Sequence, residues 1–439
     1  MVSLGLTRAL ARRGLRVAPF KKGPDYIDAT WLGLAAGRPC ANLDPFFMPS
    51  GAVRSLFAEA SAGCDLALME GNRGLFDGLD VDGSASTSGL ARLLDAPVVL
   101  VMDCTKMTRT AAAVAAGCQD FEPGLDLAGV VLNRTAGERH RGMLRQAMGR
   151  YTDLPVLGAL PKLGREPIPE RHMGLISHEE IGARDAILDG LADAVEAHCD
   201  LEAMLALARK APAWDEAPPP LWPNLAPAPR ARIGVIRDAA LWFYYEENLE
   251  ALRRAGAEVV ALSLLDSEPW PEIHGLYLGG GFPETQAESL AASGCLARLK
   301  ALSDDGLPIY AECGGFMVLA RELEYDGRSW PMAGVFDLAV RVCAKPQGLG
   351  YVEAEVDCGN PYHPAGSTLA GHEFHYSCCR AEDAVSLPTC LRMRRGQGMA
   401  GDRDGLVQNN TFAAYTHIHA LGTPWWAENF VAAAVKRKG

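Results

Sequence analysis

The residues best suited to chemistry lie in the stretch LPIYAECGGFMVLA, where a cysteine follows a short apolar segment. Residues 308–311 predict a strand, the glycines after Cys313 permit a tight turn, and an apolar helical pattern begins at Phe316. The start of a helix favours a thiolate and offers N–H groups to an oxyanion. Cys313 is therefore a candidate nucleophile, and a buried cysteine in a structural turn is the alternative.

Two further stretches supply groups that a thiol nucleophile needs. YLGGGFPE places glycines at the end of a predicted strand, so the N–H groups of Gly280 and Gly281 could join that of Gly314 in an oxyanion hole. YTHIHA supplies His417 and His419, which point to one face if the stretch is a strand. A histidine suits the role of base, and a surface or metal-binding pair is the alternative.

In the N-terminal half, charged residues follow predicted strands. PFKKGPDYID offers Lys21, Asp25 and Asp28. LALMEGNRGLFDG ends a predicted buried strand at Glu70, which resembles a Walker B metal ligand, and leaves Arg73 free to meet a phosphate or a carboxylate. Ligands bind at the carboxyl ends of such strands, where lysine suits a phosphate and carboxylates suit Mg²⁺. For the first stretch, a solvated charged loop is the alternative.

The elements that must position these residues form two series. Strands and helices alternate up to about residue 210, which predicts a mostly parallel, doubly wound sheet. One of its strands ends at Asn133, whose amide could read an adenine edge. Residues 211–231 are rich in proline and are interpreted as a linker. The sequence thus predicts two doubly wound α/β domains, residues 1–210 and 232–439.

The composition argues against several classes of protein. The 439 residues carry a formal charge of −12, which disfavours a nucleic-acid partner. The apolar runs are too short to span a bilayer, and Arg8, Arg12 and Arg13 are incompatible with a signal peptide. The 12 cysteines form no C-x-x-C pair and are interpreted as reduced thiols of a cytoplasmic protein.

The cysteine, glycine and histidine stretches, together with GHEFHYS at residues 371–377, resemble the class I glutamine amidotransferase domain of the cobyrinic acid a,c-diamide synthase family. FKKGPDYID and EGNRGLFDG resemble the family's FKxGPDYID and EGxxGLxDG stretches, so the resemblance covers nearly the whole chain. It implies an ATP-dependent ligase with a dethiobiotin-synthetase-like N-terminal fold. Ammonia from glutamine would pass through a channel and amidate the a- and c-carboxylates of a tetrapyrrole.

The resemblance also implies roles for single residues. Cys313 attacks the glutamine amide and His417 is the base, with His419 the weaker candidate. The family tends to lack an acidic third member, and Glu428 downstream fits the surface of a helix equally well. In the N-terminal domain, ATP would bind with Lys21 at the transferring phosphate, and Asp25 and Glu70 would hold Mg²⁺. The residues implied to lie by the tetrapyrrole carboxylate or its phosphorylated form are Tyr26, Asp28, Arg73 and Asp77.

Some stretches depart from the enzymes of the cobalamin pathway. GNRGLFDG, at Asn72 and Arg73, and residues 104–106 are more similar to a branch that amidates sirohydrochlorin or sirohaem, so the macrocycle stays open. Cobyric acid synthase is disfavoured by GPDYID and GHEFHYS. A regulatory ATPase relative with an inactive glutaminase is a further alternative. A homodimer is expected only from the prevalence of two-fold assemblies.

The sequence contains no phosphate-binding loop of the form G-x-x-x-x-G-K-[ST]. In the family that loop leads into a helix resembling VSLGLTRALARRG, so we expect this chain to begin at the last residues of the loop. About twenty residues, a strand and its loop, would then be absent, ATP would bind poorly, and strand edges would be unpaired. The alternative is a domain that lacks the loop, in which Ser3 caps a short helix.

Overall fold

The computed structural model describes residues 1–163, 168, 170–171, 174–175, 183–224, 227–266, 268–380, 383 and 388–438. The chain divides into two compact units. The first comprises Met1–Pro45 and Ser50–Leu221, and the second comprises Phe46–Pro49 and Trp222–Gly439. In the described part of the chain, no helix has both the length and the apolar character needed to cross a membrane.

The first unit alternates helices and strands. Its helices, in the described residues, are α1 (Val2–Arg12), α2 (Tyr26–Ala36), α3 (Ser50–Ser61), α4 (Thr87–Leu93), α5 (Arg109–Phe121), α6 (Glu138–Tyr151), α7 (Arg184–His198) and α8 (Leu201–Ala208). Its strands there are β1 (Val17–Lys22), β2 (Ala41–Leu43), β3 (Leu66–Glu70), β4 (Val98–Asp103), β5 (Leu127–Thr135), β6 (Val156–Pro161), β7 (Glu170–Arg171) and β8 (Gly174–Leu175).

The main strands of the first unit form two parallel sheets of three strands, in the orders β2-β1-β3 and β4-β5-β6. Within the described residues, β3 pairs only with β1 and β4 only with β5, so each strand has one unpaired edge. Every residue of β3 is therefore half-buried, and Val101 in β4 is 43% exposed. The prediction that Glu70 ends a buried strand is wrong, because β3 has a strand neighbour on one side only.

The second unit has a longer series of strands. Its helices, in the described residues, are α9 (Glu246–Arg254), α10 (Ala287–Ala292), α11 (Cys295–Asp304), α12 (Gly314–Leu319) and α13 (Trp425–Lys438). Its strands there are β9 (Ala231–Ile236), β10 (Leu241–Phe243), β11 (Ala257–Leu262), β12 (Gly275–Leu278), β13 (Gly280–Gly281), β14 (Ile309–Glu312), β15 (Glu322–Tyr325), β16 (Arg328–Pro331), β17 (Ala339–Val342), β18 (Gly348–Val356), β19 (Thr368–His375), β20 (Ser377–Cys379), β21 (Thr389–Arg395), β22 (Arg403–Gln408), β23 (Thr411–Ala414) and β24 (His417–Ile418).

A sheet of ten strands, ordered β11-β9-β12-β14-β23-β22-β21-β18-β19-β24, organises this unit. The strands from β11 to β23 are parallel, as the predicted α/β series requires. On the other side of β23 the sheet continues with antiparallel pairs, which were not expected from the sequence. These further strands are, in spatial order, β22, β21, β18, β19 and β24. β14 lies between two parallel partners and is fully buried, since its apolar residues face a hydrophobic core on either side of the sheet.

Candidate active sites

The turn between β14 and α12 holds Cys313 in an uncommon conformation. β14 ends at Glu312, α12 begins at Gly314, and Cys313 between them has φ 48° and ψ −101°. The Cys313 N–H donates to the Ala414 carbonyl at 2.7 Å, and the Cys313 carbonyl accepts from the Met317 N–H at 3.0 Å. A residue with a side chain adopts a positive φ at an energetic cost, so the surrounding bonds must maintain this turn.

Burial determines the protonation state of the Cys313 thiol. The residue is 4% exposed, and burial, followed by the charge of Glu284, raises the pKa of the thiol well above its usual range. A hydrogen bond from the Gly314 N–H opposes this shift only in part. The start of the six-residue helix α12 thus favours the thiolate in direction, as expected from the sequence, but burial outweighs it and the thiol stays protonated. The sulfur needs a base to take its proton.

Glycines bring the backbone close to the cysteine turn and to His417. A Cβ atom on Gly314 would lie 2.9 Å from the Gly281 nitrogen, so the two segments are in contact. A Cβ atom on Gly280 would lie 2.5 Å from His417 Cε1 and 3.3 Å from His417 Nε2. The structure thus brings the predicted glycines, the cysteine turn and His417 into one buried cluster.

His417 lies in β24, is 2% exposed, and has a carboxylate partner that the sequence analysis missed. Its Nδ1 atom lies 3.4 Å from Oε2 of the fully buried Glu312. The downstream candidate, Glu428, is exposed on α13. The signal that could have found Glu312 is a carboxylate at the end of an apolar strand, immediately before the nucleophile.

His419 follows the end of β24 and has different neighbours. Its Nε2 atom lies 3.5 Å from Oε2 of Glu247. Its ring stacks on Phe47 with centroids 5.7 Å apart and packs against Tyr245 at 4.7 Å. Because His417, and not His419, borders Gly280, the geometry favours His417 as the base.

In the first unit, Lys21 lies between predicted carboxylates. Lys21 is in β1 and is 4% exposed, and its Nζ atom lies 2.7 Å from Asp28 Oδ2 and 2.6 Å from Glu70 Oε1. Burial disfavours the charged amine, but the charges of Glu70, Asp28 and Asp25 outweigh burial and raise the pKa of Lys21. Burial likewise acts against an ionised Glu70, yet Lys21, the N-terminal ammonium and a hydrogen bond with Ser3 lower the pKa of Glu70. Lys21 and Glu70 are therefore both charged at neutral pH.

Asp25 adds a third carboxylate to this cluster. It precedes α2, and its Oδ1 atom accepts the Asp28 N–H at 2.7 Å, which caps the helix. Burial, followed by the charge of Asp28, raises the pKa of Asp25 to about 6. Within the described residues, no three metal-binding side chains enclose a single point. Mg²⁺ held by Asp25 and Glu70 would therefore take further ligands from phosphate oxygens and water, which fits its usual coordination.

The remaining predicted residues have separate surroundings. Tyr26 is buried at the first position of α2. Arg73 and Asp77 are exposed, and Asp77 Oδ2 accepts the Gly74 N–H at 3.0 Å within a local turn. Asn133 in β5 is half-buried and lines a cavity together with residues of α1 and α7. Lys21, Asp25, Asp28 and Glu70 are thus the predicted residues that the structure brings together here.

Comparisons with known proteins cover both units. Residues 1–173 match the family described as the CobQ/CobB/MinD/ParA nucleotide binding domain, and residues 232–425 match the CobB/CobQ-like glutamine amidotransferase domain. The cobyrinate a,c-diamide synthase of Magnetococcus marinus is 41% identical, with the alignment covering 100% of this chain and 94% of that protein.

Two further relatives carry the same name. The cobyrinate a,c-diamide synthase of Listeria monocytogenes is 38% identical over 95% of this chain and 92% of its own length. That of Archaeoglobus fulgidus is 37% identical over 100% of this chain and 95% of its own length. The chain belongs to the cobyrinate a,c-diamide synthase family, with a nucleotide-binding domain followed by a glutamine amidotransferase domain.

Proposed function

We propose that the chain catalyses the ATP- and glutamine-dependent amidation of the a- and c-side-chain carboxylates of cobyrinic acid. The observation that carries this proposal is the presence, in one chain, of a buried Cys313–His417 cluster and a lysine–carboxylate cluster around Lys21. The first cluster has the groups needed to release ammonia from an amide. The second has the groups needed to activate a carboxylate with phosphate.

In the second unit, His417 Nε2 takes the Cys313 thiol proton as the sulfur attacks the glutamine amide carbon. The N–H groups of Gly281 and Gly314 are the donors to the oxygen that becomes negatively charged. The tetrahedral intermediate then breaks its C–N bond, and His417 gives the proton to the leaving nitrogen. Ammonia departs and a glutamyl thioester remains, which water hydrolyses to glutamate and the free thiol.

In the first unit, the acceptor carboxylate must gain a leaving group, because a carboxylate is a poor electrophile. In this proposal, Lys21 contacts the phosphoryl group as it passes from ATP to the carboxylate. Asp25 and Glu70 would hold Mg²⁺, which would supply positive charge next to the phosphates. Ammonia displaces phosphate from the acyl phosphate and forms the amide. The further residues proposed for substrate and adenine are Tyr26, Asp28, Arg73, Asp77 and Asn133.

The test is to incubate the chain with glutamine, ATP, Mg²⁺ and either cobyrinic acid or sirohydrochlorin, and to analyse the products by mass spectrometry. Two amidations of cobyrinic acid support the proposal. Amidation of sirohydrochlorin alone assigns the enzyme to sirohaem chemistry, the alternative that Asn72 and Arg73 favour. A protein that hydrolyses glutamine but amidates neither macrocycle contradicts the proposed ligase activity.

We also propose a cytoplasmic location, small-molecule substrates and a homodimer. A cytoplasmic location is supported by the 12 cysteines, none of which forms a disulfide within the described part of the chain. The net charge of −12 supports small-molecule substrates over nucleic acid or an acidic membrane surface. A homodimer rests on the general prevalence of two-fold assemblies, and light scattering during size-exclusion chromatography would test it.

A further inference from the structure

We propose that Glu312 is a positioning residue for His417 and serves as the acidic third member of the glutaminase site. This inference rests on the proposed glutaminase activity of the second unit. Glu312 ends β14 and Cys313 follows it directly, so one strand end supplies both the nucleophile and the carboxylate. His417 is 105 residues later in the chain and lies in β24, from which its ring contacts Glu312. In the proposed reaction, the same ring takes the proton of Cys313.

The Glu312 carboxylate is held from three directions. Its Oε2 atom lies 3.4 Å from His417 Nδ1 and accepts the Tyr277 hydroxyl at 3.1 Å. Its Oε1 atom accepts the Ile418 N–H at 3.3 Å. A fully buried carboxylate is costly unless it is paired, so these three partners explain how Glu312 persists in the core. Both oxygens are directed at the segment that carries the proposed base.

A neighbouring amide fixes the geometry of these partners. Asn248 is fully buried, and its Nδ2 atom donates to the Ile418 carbonyl at 3.0 Å and to the Tyr277 hydroxyl at 3.4 Å. Its Oδ1 atom accepts the Ala420 N–H at 2.7 Å. Asn248 therefore connects the segment that carries His417 with Tyr277. Since Tyr277 and the Ile418 N–H are also the donors to Glu312, these hydrogen bonds together fix β24 relative to the end of β14.

The chemical consequence concerns the two nitrogens of one ring. When Nδ1–H faces the carboxylate, the lone pair of the neutral imidazole is on Nε2, which with Cε1 forms the side of the ring that borders Gly280, next to the Gly281 backbone that contacts Gly314. That is the tautomer a base for Cys313 requires. The carboxylate also stabilises the imidazolium that forms when the thiol proton is transferred. His372, stacked on His417 at 4.8 Å, stays neutral because burial, followed by the charge of His417, lowers its pKa.

The experiment compares Glu312→Gln with two variants of the same neighbourhood. Asp404 is a second fully buried carboxylate, and it accepts the Tyr415 and Thr416 N–H groups at 3.0 Å, so Asp404→Asn controls for the loss of a buried charge beside the same segment. Tyr277→Phe removes one donor to Glu312 but leaves the carboxylate. For each variant, the kcat and KM of glutamine hydrolysis, the thermal midpoint and the amidation rate with ammonium are measured.

We expect Glu312→Gln to lower kcat about 10²-fold or more with KM changed less than about threefold, as when an acidic triad member loses its charge. Asp404→Asn and Tyr277→Phe should keep kcat within about tenfold, and Glu312→Asp, which retains the charge, should recover part of the loss. Amidation with ammonium should persist in all variants, because the first unit is unchanged, and a thermal midpoint close to that of the wild type shows that the second unit folds. A Glu312→Gln enzyme with wild-type kcat, or one that Asp404→Asn matches in kcat and KM, overturns the inference. A wild-type chain without glutaminase activity would instead contradict the proposed function.

Discussion

The two candidate sites stabilise their carboxylates in different ways. In the second unit, the buried Glu312 faces a histidine and two hydrogen-bond donors, Tyr277 and the Ile418 N–H. In the first unit, the carboxylates around Lys21 outnumber the lysine, and the pKa of Asp25 rises to about 6. One site therefore stabilises its carboxylate with hydrogen-bond donors of the protein, whereas the other carries surplus negative charge that a cation would neutralise.

The sheets explain why the sites differ. β14 is paired on both edges, and the Glu312 side chain is 0% exposed. β3 is paired with β1 alone among the described strands, and the Glu70 side chain is 18% exposed. A site at the end of a central strand can form without solvent, whereas a site beside an unpaired edge keeps water within reach of its carboxylates. The position of a strand in its sheet thus determines how far the site at its end can form without bound water or ions.

Among variants that distinguish the two sites, Cys313→Ala should have the largest effect. This variant should lose glutamine-dependent amidation by about 10³-fold or more, because it lacks the proposed nucleophile. Amidation with high ammonium should remain, since the first unit is unchanged. Product formation with each nitrogen source measures both. Cys295→Ser, at a half-buried cysteine that begins α11, is the matched control and should retain glutamine use; glutamine-dependent turnover by Cys313→Ala would refute the assignment.

Lys21→Met should have the next largest effect and the opposite pattern. Amidation should fall about 10²-fold with either nitrogen source, whereas glutamine hydrolysis should persist. Removing the lysine also removes the ion pairs that Asp28 and Glu70 form with it, so the free energy of unfolding should drop by about 2 kcal/mol in urea titrations. Lys300→Met, at the exposed pair with Asp304, should change it by less than about 0.5 kcal/mol. Equal effects of the two variants would mean that the Lys21 cluster has no special role.

Gly280→Ala tests how closely the second site is packed. The added methyl group would meet His417 Cε1 at 2.5 Å, so glutamine hydrolysis should fall about 10-fold or more as the ring is displaced. Gly117→Ala, where no atom lies within 4 Å of the added methyl group, should leave activity unchanged and stabilise α5 slightly. Initial rates of glutamate release measure both variants. Unchanged hydrolysis by Gly280→Ala would show that the site tolerates displacement of His417.

The smallest expected effect, on stability, comes from Asp25→Asn. Because the folded pKa of Asp25 is raised to about 6, the folded state binds a proton that the unfolded state has released, and stability falls as pH rises from about 4 to about 6. The variant retains the helix cap, but its stability does not fall over this pH range. At pH 8 it should therefore be more stable than the wild type by about 1 kcal/mol after allowance for solvent screening. At pH 4 the two proteins should be equally stable. Identical pH slopes in thermal melts would contradict the raised pKa.

The parallel strands were predictable from the sequence because both of their faces are buried. The apolar run at residues 275–278 matches β12, whereas β21, with the sequence TCLRMRR, has an exposed face rich in arginine and no continuous apolar run. The candidate nucleophile and its glycines were recognisable from residue type and spacing. The Glu312–His417 contact was not, since it joins residues 105 positions apart and depends on the arrangement of strands in the sheet.

The segment Phe46–Pro49 belongs to the second unit although the chain on both sides of it belongs to the first. The Phe47 ring stacks on His419, and the Phe46 ring packs on Tyr351 with centroids 4.4 Å apart. A gene fragment that starts in the proline-rich linker would therefore encode an incomplete glutaminase, with a gap where Phe47 lies. If the two activities were carried by two polypeptides, the glutaminase polypeptide would need its own copy of these four residues. The fold therefore favours keeping both activities in one gene.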